Sequence, residues 1–266
     1  MRATSALACA RELLRLDPPW WQDLARCYGV TPAQARALGQ RAPGRRPDFP
    51  AGPKGRTYEE VWASRPRDTV ADIIAFYGEL GSWPVFRQVY RHRFRAWPEV
   101  ARALPSGGFV LEYGCGVAPV TWWLAQRRRD FHPVLVDVPG QAFSFALRRL
   151  KALKPPLPAL TTLTVTDDRV LSLPPCDVAV CSEVLEHVPS PVAVIRNILL
   201  SLKPGGDLWE DFYKHSDDAP PSPADLPSAR RERPEVYDLL VQRCEWIGGR
   251  HWQAPEGGGV RHWRRR

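Results

Sequence analysis

Leu111-Glu112-Tyr113-Gly114-Cys115-Gly116-Val117-Ala118-Pro119 is the stretch that decides the fold. The apolar run Phe109–Tyr113 reads as a buried strand. It ends at a Gly-x-Gly and passes straight into a helical stretch, 119–128. Glycines permit a tight turn and let a ligand press on bare backbone. Pro119 suits a first helical position. The N-terminus of that helix is expected to offer free N–H groups to a polar or negatively charged ligand. The third glycine of the G-x-G-x-x-G dinucleotide fingerprint is absent, because Pro119 stands in its place; this argues against a nicotinamide cofactor.

The same rhythm continues on the C-terminal side. Strand-like runs at 134–137, 162–166, 177–181 and 207–212 alternate with helical stretches at 141–153 and 190–202, where Ser190 is expected to cap and Pro191 to fill the first turn. Alternation of this kind predicts a mostly parallel sheet with helices on both faces and the ligand loops on one rim. A tail helix at 234–243 and two strands, 244–252 and 259–264, joined by a turn at 254–258, predict an antiparallel hairpin at the sheet edge.

Towards the N-terminus the chain reads as helical. A first short helix ends near Leu16, a second spans 20–28, and Thr31-Pro32 opens a third. The string from Asp23 to Leu38 resembles a helix-turn-helix, a pattern that helix pairs joined at Gly share in proteins that do not bind DNA. Residues 41–56 form a Pro/Gly/Arg-rich linker. Val70, Ile73, Ile74, Tyr77 and Leu80 mark one amphipathic helix, and Val85, Phe86, Val89, Tyr90 and Phe94 the next. Arg87, Arg91, His92, Arg93 and Arg95 give that next helix a basic face, either solvated or touching an anionic substrate. The chain divides into a helical region, 1–107, and a sheet region, 108–266.

Composition bounds the function classes. Of 266 residues 44% are hydrophobic, enough for a sizeable core. The net charge of +8 hints at nucleic acid, but only five of the 37 basic residues are lysines and the arginines are scattered. Composition and helix-end charge, as at Arg127–Arg129, account for most of it, so nucleic acid is an unfavoured partner without being excluded. Six cysteines without a C-x-x-C pair suit free thiols in the cytoplasm. No apolar run reaches the ~18 residues of a membrane span.

Asp137 closes the second strand, 21 residues beyond Gly116, where a carboxylate can accept from both hydroxyls of a ribose. Asp167, with Asp168 beside it, follows the third strand and can accept from an adenine amino group. Together with Cys176–Val188 and Leu202-Lys203-Pro204-Gly205-Gly206, these segments make the chain from about 108 onward resemble the class I S-adenosylmethionine-dependent methyltransferase family. The resemblance implies a Rossmann-like, seven-stranded, mostly parallel sheet whose last two strands form the hairpin, and S-adenosyl-L-methionine as cofactor. It implies that the Gly114–Cys115–Gly116 loop holds the methionine part, Asp137 the ribose and Asp167 the adenine, with Glu112, Val138, Ser182 and Glu183 completing the pocket. Ala118 departs from the family, where many members carry glycine.

Glu183-Val184-Leu185-Glu186-His187 requires separate weighing. On a helix Glu183 and His187 share a face. His187 is a candidate general base, since imidazole titrates near neutrality. Metal ligation is disfavoured, with His215 the only further partner in view, and no metal is assigned. Methyl transfer asks chiefly for in-line positioning and desolvation. The expected acceptor is a small molecule with an O- or N-nucleophile; RNA or another macromolecule, or a non-catalytic cofactor-binding subunit, are the alternatives. The polar run from Tyr213 to Pro227 reads as a substrate lid or a surface insertion.

Overall fold

The computed structural model describes residues 20–41, 56–92, 95–166, 171–212, 225–249 and 260–266. The first short helix, the linker, Phe94, Asp167, Asp168, most of the 213–227 loop with His215, and the 254–258 turn lie outside the described residues.

The helical region comprises α1 (Trp20–Tyr28), α2 (Pro32–Arg41), α3 (Tyr58–Ala63), α4 (Val70–Leu80), α5 (Trp83–His92) and α6 (Pro98–Ala103). Its starts follow from capping chemistry. Thr31, Thr57 and Thr69 each accept from the backbone N–H three residues on, while Gln34, Glu60 and Asp72 return the bond to the cap N–H. Two orphan donors are thereby satisfied at each start.

The sheet region runs β1 (Gly108–Tyr113), α7 (Pro119–Ala125), β2 (Phe131–Asp137), α8 (Gln141–Lys151), β3 (Thr161–Thr164), β4 (Cys176–Cys181), a 3₁₀ turn (Leu185–His187), α9 (Pro191–Ser201), β5 (Leu202–Glu210), α10 (Pro227–Arg243), β6 (Cys244–Gly249) and β7 (Arg261–Arg265). The seven strands lie in the order β3-β2-β1-β4-β5-β7-β6. β1 to β5 are parallel; β7 is antiparallel to both β5 and β6. This is the expected seven-stranded, Rossmann-like α/β sheet with its C-terminal antiparallel hairpin. The winding reverses between β1 and β4, so the loops after those strands face each other across a crevice, where open α/β sheets bind ligands.

Buried residues of the helical region, among them Trp62, Phe76, Trp83 and Phe86, join those of the sheet in one continuous core. The hairpin is held by chemistry as well as by pairing. Arg261 donates to both Glu210 carboxylate oxygens at 2.6 and 2.9 Å, and Trp263 Nε1 donates to one of them at 2.9 Å. A bidentate pair with a third donor satisfies the charges that this burial desolvates.

Two boundaries depart from the sequence expectation. Ser190 does not cap α9 with its side chain; Glu232 of α10 does so from across the chain, accepting from Val192 N–H at 3.0 Å and from the Ser190 hydroxyl at 3.2 Å. α10 begins at Pro227 and carries Pro234 inside it. A proline is a frequent helix start, but tertiary packing of Ala229, Val236 and Leu240 carries the helix through it.

Candidate active site

The loop after β1 is shaped by three left-handed residues, Gly114 (φ 63°), Gly116 (φ 52°) and Ala118 (φ 51°). A Cβ on Gly114 would sit 2.3 Å from Val184 Cγ2, and one on Gly116 2.2 Å from Gln88 Oε1. Glycine is therefore favoured at both places by φ, and at Gly114 by space as well, since the stiff Val184 side chain stands in the way whereas the Gln88 amide end can move.

The Cys115, Gly116, Val117 and Ala118 amides of this loop are engaged. Gly116 N–H donates to Asp137 Oδ2, and Val117 N–H to Gln88 Oε1 at 3.1 Å. Val120 and Thr121, in the first turn of α7, donate to the two Glu112 oxygens at 3.0 and 2.9 Å. The expected free helix N-terminus is thus corrected: a buried carboxylate from β1 occupies it. A second anion is unwelcome there, whereas a cationic ligand group is favoured. Burial pushes the Glu112 carboxyl up to about 7 in spite of these amides.

Asp137 also accepts from Val138 N–H at 2.7 Å. A carboxylate offers about four lone-pair sites, so both oxygens retain capacity for a ligand. Desolvation raises Asp137 to about 6, against the pull of the Gly116 and Val138 amides.

Two chambers flank the loop. The first encloses about 1070 Å³, open mouth included. Asp137 and Glu183 are its acids; Val138, Phe143 and Val165 give it an apolar wall, and Ile73 and Tyr77 of α4 line it too. The second, about 1240 Å³ with its mouth, is polar and is lined by Arg87, Arg91 and Arg95 together with Glu112, Cys115 and Ser182. Gly114, Gly116, Gln88, Glu183 and His187 border both.

Of the basic face read as solvated or as touching an anionic substrate, Arg87 and Arg95 are half-buried and Arg91 stays exposed, and all three border the polar chamber. Arg91 pairs with Glu183 at 3.1 Å and Arg95 donates to Ser182 Oγ at 3.2 Å. No α-helix runs through 183–187. Glu183 takes a left-handed φ of 61°, and only Leu185–His187 form a 3₁₀ turn. Glu183 and His187 consequently do not share a helical face. The His187 ring meets the Trp62 ring edge-on at 5.7 Å between centroids. Among the described residues no three His, Cys, Asp or Glu side chains are grouped to hold a metal ion.

Of the sequence-derived candidates, the structure brings Glu112, Gly114, Cys115, Gly116, Asp137, Val138, Ser182, Glu183 and His187 to these two chambers; Asp167 lies outside the described residues. Sequence reasoning missed Gln88 and Asp211. Gln88 carries no motif. Asp211 stands next to the end of β5 as Asp137 stands at the end of β2, and that shared strand-end position was a usable signal.

Residues 111–208 match the family described as "Methyltransferase domain". This segment of the chain is a methyltransferase domain. Curated relatives of the chain include a ubiquinone biosynthesis O-methyltransferase of Xylella fastidiosa (strain 9a5c), 32% identical over 41% of this chain and 44% of its own length. One of the same name from Aeromonas salmonicida (strain A449) is 32% identical over 39% and 44%. The chain thus spans less than half the length of these relatives. Among solved structures, a SAM-dependent methyltransferase from Aquifex aeolicus is 16% identical, with a TM-score of 0.46, covering 61% of this chain and 85% of that one. The methyltransferase domain contains the glycine loop, Asp137, the Ser182–Glu183 turn and His187, whereas Gln88 and the arginines reach it from the helical region. Among the described residues no helix is long and apolar enough to cross a membrane.

Proposed function

We propose that the protein is a cytoplasmic, S-adenosyl-L-methionine-dependent methyltransferase acting on a small-molecule acceptor. Residues 108–266 form its cofactor domain and 1–107 a cap that completes the site. The observation that carries this reading is the Asp137 carboxylate, tied to the glycine loop through Gly116 N–H and facing a chamber with an apolar wall. That donor set fits the cofactor. Asp137 retains acceptor capacity for a vicinal diol, Val138, Phe143 and Val165 offer an apolar slot for a base, and Glu112 and Glu183 supply negative charge near a cationic centre.

When bound, the cofactor supplies an electrophilic methyl group. The chain's own part is positioning: the loop fixes the donor, and the polar chamber receives the acceptor. His187 borders both chambers and is held by the Trp62 ring edge. It is assigned as the base that takes a proton from an acceptor hydroxyl. The names of the curated relatives support a small organic acceptor over a macromolecule.

Two measurements test this reading. Calorimetric titration with S-adenosylhomocysteine should show binding that weakens at least about tenfold in Asp137→Ala, the loss of one or more hydrogen bonds to a charged acceptor; unchanged affinity removes the ribose role. His187→Gln should lower turnover by about 10²-fold or more while leaving that affinity intact. A parallel loss of binding would make His187 a wall residue instead of a base.

A further inference from the structure

Glu183 is a non-glycine residue in the left-handed region, and it borders both chambers. A side chain holds that conformation only where its surroundings over-determine it. The determining group is Asp211, just past the end of β5. Its Oδ1 accepts from Glu183 N–H at 2.6 Å and its Oδ2 from the Ser182 hydroxyl at 2.7 Å. Arg95, which follows α5, donates to the same hydroxyl at 3.2 Å and lies 3.9 Å from Asp211 Oδ2. Asp211 itself is only 4% exposed and lines neither chamber.

We propose that Asp211 is a positioning residue for the methyl-transfer site: it clamps the Ser182–Glu183 turn in the left-handed form that presents Glu183 to both chambers, and Arg95 ties this clamp to the cap. The proposal rests on the reading of the chambers as that site. Asp211 acts through the turn and touches no reacting group.

The clamp sits in a charged neighbourhood. Glu186 of the 3₁₀ turn and Glu183 face Asp211 from its N-terminal side, Cys181 from β4, Glu210 and its partner Arg261 from the hairpin, and Arg95 from the cap. Burial first, and then Glu186, push the Asp211 carboxyl up to about 6. The clamp is therefore fully ionised only above that pH and loosens as the pH falls through it.

The test uses the full chain. The Glu183 amide is followed by ¹⁵N–¹H NMR without cofactor from about pH 8 to about pH 5, and S-adenosylhomocysteine is titrated calorimetrically at about pH 8. In the wild type the amide shift should titrate with a midpoint near Asp211's value of about 6. Asp211→Asn keeps an acceptor for Glu183 N–H, so its amide should lose that titration while its affinity stays within about threefold. Asp211→Ala should weaken binding at least about tenfold, as expected for a lost charged acceptor. If Asp211→Ala does not fold, the Asp211→Asn amide decides: a titration like the wild type's overturns the clamp, because another carboxylate then moves the amide. A wild type that binds no S-adenosylhomocysteine overturns the reading of the chambers. A wild type that binds, with a folded Asp211→Ala equal to it, overturns this proposal alone.

Discussion

On one side of the Gly114–Gly116 loop the chamber wall includes the ends of the parallel strands; on the other it includes long basic side chains from the helical region. Asp137, Val138 and Val165 sit where the parallel strands β2 and β3 run out, and Val165 N–H donates to Asp137 O at 2.9 Å. Across the loop, Arg87, Arg91 and Arg95 come from a helical region that precedes the methyltransferase domain, and Arg91 and Arg95 pair with the turn after β4. Fixed backbone suits a ligand common to a whole class of proteins. Side chains on a packed helix can be exchanged without altering the sheet, and they suit the part of the site that sets one acceptor apart from another.

The contrast holds only if the helical region is an integral wall. One buried tie is Asp23 of α1, which accepts from Arg149 Nε of α8 at 2.9 Å. That guanidinium lies over the Trp20 and Trp122 rings at 3.5 and 3.7 Å, and burial pulls it down to about 9 although Asp23 opposes this. Asp23→Ala leaves a buried cation uncompensated. It should cost about 3–5 kcal/mol of stability, read by denaturant or thermal unfolding. A cost below about 1 kcal/mol would make α1 a loosely attached accessory and undo the comparison.

A smaller effect is expected on the backbone side. Gly114→Ala forces a side chain into the left-handed region, at about 1–2 kcal/mol, and drives its Cβ to within 2.3 Å of Val184. Gly107 has a similar φ of 69° but open space around it. Gly107→Ala should therefore show the backbone cost alone, and Gly114→Ala that cost plus a loss of S-adenosylhomocysteine affinity. Equal behaviour of the two variants would mean that the close approach to Val184 does not shape the site.

The same division explains what the sequence revealed. β1 and β2 are short apolar runs closed by a glycine or an acid, and the path from strand to loop to helix is local; Asp137 and the glycine loop were legible for that reason. The β6–β7 hairpin was legible from its turn residues. What was hidden depends on partners distant along the chain. Glu232 capping α9, Gln88 engaging Val117 N–H and Asp211 holding Glu183 are pairings 28–40 residues apart. The string from Glu183 to His187 has a spacing that would set the two on one face of a helix, whereas Asp211 draws Glu183 into a conformation that breaks one.

Arg91 gives the finest discrimination. Its pair with Glu183 is partly open to water, with the two side chains 48% and 24% exposed. Exposed pairs contribute about 0.2–1 kcal/mol, so Arg91→Ala should scarcely move the unfolding midpoint. Its effect should fall on the acceptor: KM for the methyl acceptor changes, while S-adenosylhomocysteine affinity stays within about twofold, less than one hydrogen bond is worth. If Arg91→Ala instead weakened that affinity as much as Asp137→Ala, the arginine side of the loop would belong to the cofactor, and the two chambers would be one site sharing a single task.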